Sequence, residues 1–412
     1  MDVMARAVRR TPVRIAIAVV LVAVAWYLCI GIPGLSDVPP YRIDLDVYRL
    51  GAGVWLQGGD LYGQLPKTQI GVALPFTYPP IAAVLLAPLV WLPLPVASVV
   101  VGIASVLALY GVVWLATREL SDLTGADLAW FSAGATACSL LLGPVRETFG
   151  YGQINLFLML LVVVDMVAGR GRWWRGSLTG IAAAIKLTPA VFFLFFLLRK
   201  DFRAIVVGGL AFVAAHAIGF LAAWDDSVTY WTTTLRDTSR IGGLAYAANQ
   251  SLNGFLYRLG LTGTVAQVAW LVLVVLLVAA AAVLMVRLIG SGEELAAVVV
   301  VAFAGLYASP VSWAHHWVWA VPALLVCAWW AMRRSEVVGP GLRGCLWALV
   351  VAGVAVFAST PYWWFPHEEN REIQWEWYMH LFGNANLWWG LALFAAMWWY
   401  TVRVRRVAPA RG

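Results

Sequence analysis

The chain is a series of long apolar segments separated by short polar ones. Many of the apolar segments approach the roughly 20 residues that a helix needs to cross a bilayer. Inside a bilayer such segments must be helical, because only a helix satisfies its own backbone hydrogen bonds. We therefore expect an all-α polytopic membrane protein, built as a single domain over residues 1–412. The pattern predicts spans near 14–33, 95–116, 128–142, 155–168, 204–222, 263–287, 295–309, 317–332, 345–360 and 387–402.

Two further apolar segments depart from this pattern. Residues 79–92 begin with Pro79 and Pro80 and are too short to cross, so we expect a half-helix that returns to its own side. Residues 176–198 carry Lys186 and Pro189 near their middle. Because proline removes a backbone donor and breaks a helix interior, this segment is predicted to be a broken, re-entrant hairpin. The expected total is about 10–12 transmembrane helices.

Basic residues predict the orientation, because cytoplasmic loops of membrane proteins are enriched in Lys and Arg. A broken hairpin at 176–198 places the basic clusters at 170–175 and 199–203 on one side, whereas a single crossing would separate them. We expect both termini in the cytoplasm and the protein in the plasma membrane. The predicted outer loops, which contain most of the unusual polar residues, are 34–78, 143–153, 224–262, 310–316 and 361–386.

Composition excludes several other classes of protein. The chain is 62% hydrophobic and 12% charged, against roughly 25% charged residues in a soluble domain, which excludes a soluble enzyme and a disordered chain. The net charge of +7 follows from the cytoplasmic clusters, so we expect no nucleic-acid partner. The four cysteines show no metal-ligand spacing, and we expect neither a metal nor a cofactor.

The first predicted outer loop contains two closely spaced acids, Asp44 and Asp46. A carboxylate near an apolar boundary can have a raised pKa and act as a general base. A solvated loop acid or a helix cap is the alternative. If the segment is helical, residues two apart face different ways, so only one of the two acids points inward.

Lys186 and the adjacent pair His315-His316 are the other charged or titratable candidates. A lysine inside an apolar segment is costly and is a functional-site hypothesis by default; here it would suit an anionic group such as a lipid phosphate. A snorkelling or paired structural lysine is the alternative. The histidines could hydrogen-bond a phosphate or a sugar, or simply pack at the interface; neighbouring histidines are poorly placed to share one metal.

Amide side chains occur in two clusters at predicted span ends. Gln153 and Asn155 follow Arg146, and Asn249 precedes Gln250. Amides bind sugar hydroxyls well, whereas the alternative role is helix capping.

Taken in order, these motifs resemble those of glycosyltransferase family 87, whose members use polyprenyl-phosphate-mannose. The resemblance covers about residues 41 to 317. It rests on Asp44-Leu45-Asp46-Val47-Tyr48, Asp60-Leu61-Tyr62, Phe76-Thr77-Tyr78-Pro79-Pro80, Gly152-Gln153-Ile154-Asn155, Lys186-Leu187-Thr188-Pro189, Asn249-Gln250-Ser251 and Ser309-Pro310 through His315-His316.

The resemblance implies a GT-C fold with an extracytoplasmic active site and inverting α-1,2-mannosyl transfer. The implied acceptor is a phosphatidylinositol mannoside or lipomannan within the bilayer. Transfer of another sugar from a polyprenyl phosphate, or transport of a lipid-linked sugar, are the alternatives.

The resemblance also implies roles for individual residues. Asp44 is the implied catalytic base, as the first acid of its motif. The expected donor-phosphate ligands are Lys186, His315, His316 and Arg146. The expected sugar or acceptor ligands are Asp46, Tyr48, Tyr62, Tyr78, Gln153, Asn155, Asn249 and Gln250.

Overall fold

A computed structural model describes residues 2–237, 240, 242–333 and 335–407, without the side chains of residues 2–5 and 407. Two basic residues of the predicted cytoplasmic clusters, Arg334 and Arg411, lie outside this set. The described residues form helices and one isolated β-bridge. The α-helices are α1 Asp2–Arg9, α2 Thr11–Cys29, α3 Ile43–Leu56, α4 Pro80–Leu86, α5 Leu94–Leu120, α6 Gly125–Ser139, α7 Gly143–Tyr151, α8 Asn155–Val163, α9 Ser177–Ile185, α10 Phe193–Leu198, α11 Phe202–Ala222, α12 Trp224–Thr232, α13 Leu252–Arg258, α14 Gly263–Gly290, α15 Glu294–Ala308, α16 Ala320–Met332, α17 Pro340–Ser359, α18 Trp377–Gly383 and α19 Ala385–Val407.

Within the described ranges, five helical segments are long and apolar enough to cross a membrane: α2, α5, α11, α14 and Pro340–Trp363, which extends α17. A sixth span is formed if α6 and α7, bent by 77°, are counted together. Further apolar helices are shorter than a crossing requires. The prediction of an all-α polytopic membrane protein is confirmed, and the total of about 10–12 spans stays a prediction.

The predicted break at Lys186 is present. Helix α9 ends at Ile185, Lys186 is extended (φ −148°, ψ 126°), and the chain resumes as the 3₁₀ helix Thr188–Phe192 and then α10. An ion pair of 3.2 Å between Arg175 and Asp201 joins the two ends of the segment. The ends therefore lie together, which confirms the hairpin.

Residues 143–151 differ from the sequence prediction of a loop, because they form helix α7. Pro144 lies in the first turn, where proline is tolerated. Gly152 ends the helix with φ +75°. A side chain there would meet the Cβ atoms of Leu45 and Arg42 at 2.8 and 2.9 Å, so glycine allows α3 to approach this turn closely.

The start of α3 is held by the buried Arg42. Its guanidinium donates to Ser98 Oγ and to the Leu28 carbonyl, each at 2.7 Å, and to the Phe149 carbonyl. These contacts join α3 to the end of α2, to α5 and to α7. Arg42 thereby fixes the position of the first turn of α3 relative to α2, α5 and α7.

The hairpin predicts where introduced cysteines will react. In a background without the four native cysteines, Trp173→Cys and Lys200→Cys should be labelled by an impermeant maleimide from the same face of membrane vesicles. Both positions are exposed and flank the hairpin. Leu35→Cys, also exposed, should be labelled from the opposite face. Labelling of positions 173 and 200 from opposite faces would contradict the hairpin.

Candidate active site

A cavity of about 560 Å³ lies where α3, the end of α7 and the hairpin break meet. This volume is in the range of small-ligand sites. The polar and aromatic side chains that line it include Asp44, Tyr48, Tyr78, Tyr151, Gln153, Lys186, Arg240, Tyr246, Trp313, His315 and His316.

Asp44 is the carboxylate that faces this cavity among the described residues. It lies in the first turn of α3, is partly buried, and its Oδ2 accepts a hydrogen bond of 2.6 Å from Gln153 Nε2. Burial raises the pKa of Asp44 to about 6, although the bond from Gln153 and the charge of Lys186 act in the opposite direction. The carboxylate is thus a stronger base than an ordinary aspartate and is still mostly ionised at neutral pH.

Asp46 lies on a different face of α3 and does not line the cavity. Its Oδ2 accepts from the Tyr41 hydroxyl at 2.9 Å and from the Gln69 backbone amide at 2.8 Å. The helical spacing therefore separates the two acids, as the sequence indicated. In this structure Asp46 binds groups of the segments that precede and follow α3, and its role as a sugar ligand stays a prediction.

Gln153 connects Asp44 to two buried tyrosines. Its Oε1 accepts from the hydroxyls of Tyr48 at 2.9 Å and Tyr78 at 3.2 Å. The two hydroxyl oxygens are themselves 2.9 Å apart. The amide is therefore bound at both ends.

Lys186 projects from the hairpin break into the cavity. Its Nζ is 3.1 Å from His316 Nε2 and 3.3 Å from Asn155 Oδ1, and it lies 5.3 Å from the centre of the Tyr78 ring. No described carboxylate lies within ion-pair distance of this ammonium. A cation held by uncharged partners at a cavity wall is suited to bind an anion.

The two histidines lie in the 3₁₀ helix Ala314–Trp319. The carbonyl of His315 accepts from Asn155 Nδ2 at 3.1 Å and from Thr148 Oγ1 at 3.3 Å, which fixes this turn against α7 and α8. The Nε2 of His315 is buried and has no hydrogen-bond partner among the described residues. It is available to a ligand in the cavity.

Three other sequence candidates lie outside the main cavity. Arg146 donates to the Ala358 carbonyl at 2.8 Å near the protein surface. The Tyr62 hydroxyl donates to the Tyr78 carbonyl at 2.7 Å. Asn155 supports Lys186 and His315 and lines a neighbouring cavity. Tyr62 and Asn155 therefore support the site from behind, and Arg146 lies away from it.

Asn249 and Gln250 are fully buried and bind backbone groups. Asn249 donates to the Leu244 carbonyl at 2.9 Å and accepts from the Ser312 amide at 3.0 Å. Gln250 donates to the carbonyls of Ala247 and Gly383 at 2.8 Å each. These amides join predicted outer segments to one another, and neither lines the cavity that contains Asp44.

Sequence reasoning assigned no role to several other residues of the cavity wall. Tyr151, Tyr246 and Trp313 supply aromatic surface, and Arg240 donates to the Tyr62 carbonyl at 3.0 Å. With 24 Trp and 14 Tyr in the chain, an interfacial belt explains most aromatic residues. Nothing in the sequence around Tyr151, Tyr246 and Trp313 distinguished them from the aromatic residues of such a belt.

A second cavity of about 370 Å³ adjoins the first. The two share Leu187, Thr188, Ser309 and His316 as lining residues. Away from this shared wall the second cavity is mostly apolar, and its lining includes Leu158, Met159, Val162, Val191, Phe192, Ala302, Leu306 and Trp319. Among the described residues, no group of three or more His, Cys, Asp or Glu side chains is arranged to hold a metal ion.

Comparison with known proteins gives the family. The sequence model of glycosyltransferase family 87 matches residues 76–310. The chain is 40% identical to a polyprenol-phosphate-mannose-dependent alpha-(1-2)-phosphatidylinositol mannoside mannosyltransferase of Mycobacterium tuberculosis, over 86% of this chain and 84% of the relative. It is 41% identical to the protein of that name in Mycolicibacterium smegmatis, over 92% and 88%.

A further relative in M. smegmatis, 34% identical over 87% of this chain and 84% of its own length, is named a phosphatidylinositol pentamannoside mannosyltransferase with the same donor dependence. No solved structure gives a significant match. The protein is thus a multi-pass membrane enzyme that transfers a glycosyl group. It belongs to glycosyltransferase family 87.

The structural role of Gln250 can be tested separately from activity. Gln250→Ala leaves two buried carbonyls without donors, which should lower the free energy of unfolding by about 1–3 kcal/mol. Thermal unfolding in detergent measures this, with the exposed Gln64→Ala as the matched control. An unchanged melting temperature together with a large rise in acceptor KM would instead indicate a sugar ligand.

Proposed function

We propose that this protein is an inverting α-1,2-mannosyltransferase that moves mannose from polyprenyl-phosphate-mannose to a phosphatidylinositol mannoside. The relatives' names supply the donor and acceptor classes. The observation that carries the proposal is the single cavity that holds both the carboxylate of Asp44 and the unpaired ammonium of Lys186.

In this mechanism Asp44 is the general base. It accepts the proton of the acceptor's 2-hydroxyl while that oxygen forms a bond to the anomeric carbon of mannose. The bond between this carbon and the phosphate oxygen breaks on the opposite face, and polyprenyl phosphate leaves with the bonding electrons. A β-linked donor gives an α-linked product, and one base suffices because phosphate is a good leaving group. Inverting glycosidases follow the same stereochemical logic, with water as the nucleophile.

Lys186, His315 and His316 act on the phosphate. Negative charge increases on the phosphate as the glycosidic bond breaks, and a fixed cation stabilises this transition state more than the ground state. The Nζ of Lys186 already has neutral partners in Asn155 and His316. It therefore needs no rearrangement of an ion pair before it binds the donor.

The division of the site into two cavities supports separate places for the sugars and the lipid. The larger cavity contains Asp44 and Gln153, whereas the second is mostly apolar. A phosphate at the shared wall near His316 would direct mannose toward Asp44. The first isoprene units of the donor would then occupy the second cavity, where burial of each CH₂ contributes roughly 0.8 kcal/mol.

The proposed location of the reaction is the outer face of the plasma membrane, with both termini in the cytoplasm. The ion pair of Arg175 with Asp201 supports it, because it keeps the flanking basic clusters on one side. The proposal assigns the predicted outer loops, several residues of which line the cavity, to the opposite side of the membrane.

Asp44→Asn should reduce mannosyl transfer by at least about 10²-fold, since positioned general bases contribute roughly 10²–10⁴-fold. Purified protein in lipid nanodiscs would be given radiolabelled polyprenyl-phosphate-mannose and a panel of phosphatidylinositol mannosides and lipomannan. The matched control is Asp46→Asn, which should keep most activity because one amide oxygen can accept both bonds that Asp46 Oδ2 now accepts.

Wild-type transfer by a folded Asp44→Asn enzyme would refute the role of this base. The labelled product identifies the acceptor, and the pentamannoside is included because of the 34% identical relative. Transfer to none of these acceptors, or transfer only from another polyprenyl-phosphate sugar, would overturn the proposed reaction.

Filling the second cavity should weaken the binding of donors that carry a long polyprenyl chain. Ala302→Phe places a ring in this cavity and should raise KM roughly tenfold for a long polyprenyl donor, since tenfold corresponds to about 1.4 kcal/mol. A mannosyl phosphate with a methyl group in place of the polyprenyl chain should be affected much less, because it leaves the second cavity empty. Val275→Phe, on an exposed part of α14, is the control. Equal effects on short and long donors would place the lipid elsewhere.

A further inference from the structure

We propose that Tyr48 and Tyr78 together lock the orientation of the Gln153 amide, so that its NH₂ group and not its carbonyl oxygen faces Asp44. The two tyrosines would thereby act as positioning residues for the base without touching the reacting atoms. This inference rests on the proposed function, in which Asp44 accepts the substrate proton.

The lock is visible in how the hydrogen bonds are distributed. Both tyrosine hydroxyls donate to Gln153 Oε1, and Nε2 at the other end donates to Asp44 Oδ2. Tyr48, Tyr78 and Gln153 are each at most 9% exposed. All three side chains are thus nearly enclosed by protein although they line the cavity, and the orientation of the amide depends mainly on its protein partners.

If the amide were reversed, one of the two tyrosine hydroxyls would have no hydrogen-bond acceptor. Each tyrosine has a single hydroxyl hydrogen, and both hydrogens have an acceptor only if the amide oxygen points toward them. With NH₂ there instead, one hydroxyl can still donate to the other, but the second hydrogen loses its acceptor. An unsatisfied buried donor is costly. Together the two hydroxyls therefore favour the observed orientation.

The orientation matters because the two ends of an amide act oppositely on a carboxylate. An NH₂ donor stabilises the ionised form of Asp44, which is the form that can accept a proton. A carbonyl oxygen at the same place would repel the ionised form and favour the protonated acid. The lock thus keeps Asp44 in its basic form against the effect of burial.

The other groups around Asp44 stay in place when only the hydroxyls are removed. Lys186 acts on Asp44 electrostatically, and Tyr151, His315 and His316 line the same cavity. Tyr78→Phe keeps the ring that lies beneath the Lys186 ammonium. Phenylalanine variants therefore isolate the effect of the hydroxyls.

The test is the dependence of kcat/KM on pH. In the wild type the acid limb should have its midpoint near the pKa of Asp44, about 6, with activity lost as pH falls and the base becomes protonated. The Tyr48→Phe/Tyr78→Phe enzyme should show this midpoint displaced upward by about one pH unit, since a hydrogen bond to a charged group has this magnitude. Each single variant should show a smaller displacement, and provides the test if the double variant does not fold.

Gln153→Leu provides the decisive comparison. It removes the amide donor, so its midpoint should also move upward, and adding both tyrosine substitutions should move it no further. This lack of additivity is expected only if the tyrosines act through Gln153. Tyr41→Phe, which removes a hydroxyl beside the neighbouring carboxylate Asp46, should leave the midpoint unchanged.

The possible failures are distinguishable. An unchanged midpoint in the double variant, with Asp44→Asn inactive, would reject the lock and leave the proposed function standing. Additive displacements in the triple variant would also reject it, because the tyrosines would then act directly on Asp44 or on substrate. Activity in Asp44→Asn would overturn the role of the base itself, and the lock with it.

Discussion

The organisation of the site depends on placing one ammonium, that of Lys186, inside an apolar bundle. A cation in such a position is costly unless polar groups surround it. Here the partners are uncharged: Asn155 from the start of α8, His316 from the Ala314–Trp319 turn and the ring of Tyr78. These residues come from distant parts of the chain, and the requirement to hold the cation brings them together. A carboxylate partner would satisfy the charge more fully, but it would also compete with an anionic substrate.

A second set of buried polar groups joins the predicted outer segments to one another. Glu147 accepts from the Tyr362 hydroxyl and the Trp363 indole, at 2.6 and 2.8 Å. Glu372 accepts from the Ala247 amide at 2.9 Å, and Arg258 donates to Asn384. Irregular backbone cannot satisfy itself as a helix does, so it recruits side chains for this purpose. This need accounts for the bond from the Ala247 amide to Glu372 and for the bonds from Arg258 to the carbonyls of Ala245 and Tyr246.

The sequence was sufficient for features whose cause is local. The hairpin follows from Pro189 and from the basic residues at both ends, and the inward direction of only one acid follows from helical spacing in α3. Lys186 stood out because any lysine there is expensive. The partners of Asn249 and Gln250 could not be predicted from the sequence. An amide binds a backbone carbonyl as readily as a sugar hydroxyl, and only the positions of distant carbonyls such as that of Gly383 decide between them. Helix α7 was not predicted, because it is only nine residues long and its first turn contains glycine and proline.

The two cavities also bear on how a lipid donor could reach a polar site. A substrate with a charged phosphate between a sugar and a long apolar chain needs three environments in a fixed order. The described residues present that order: a carboxylate and amide in the larger cavity, Lys186 and His316 near the wall, and the apolar lining of α8 and α15 beyond it. The hairpin break contributes to this order, because Lys186 lines the larger cavity and the next two residues, Leu187 and Thr188, line both. The same break therefore supplies both the cation and the boundary between the two cavities.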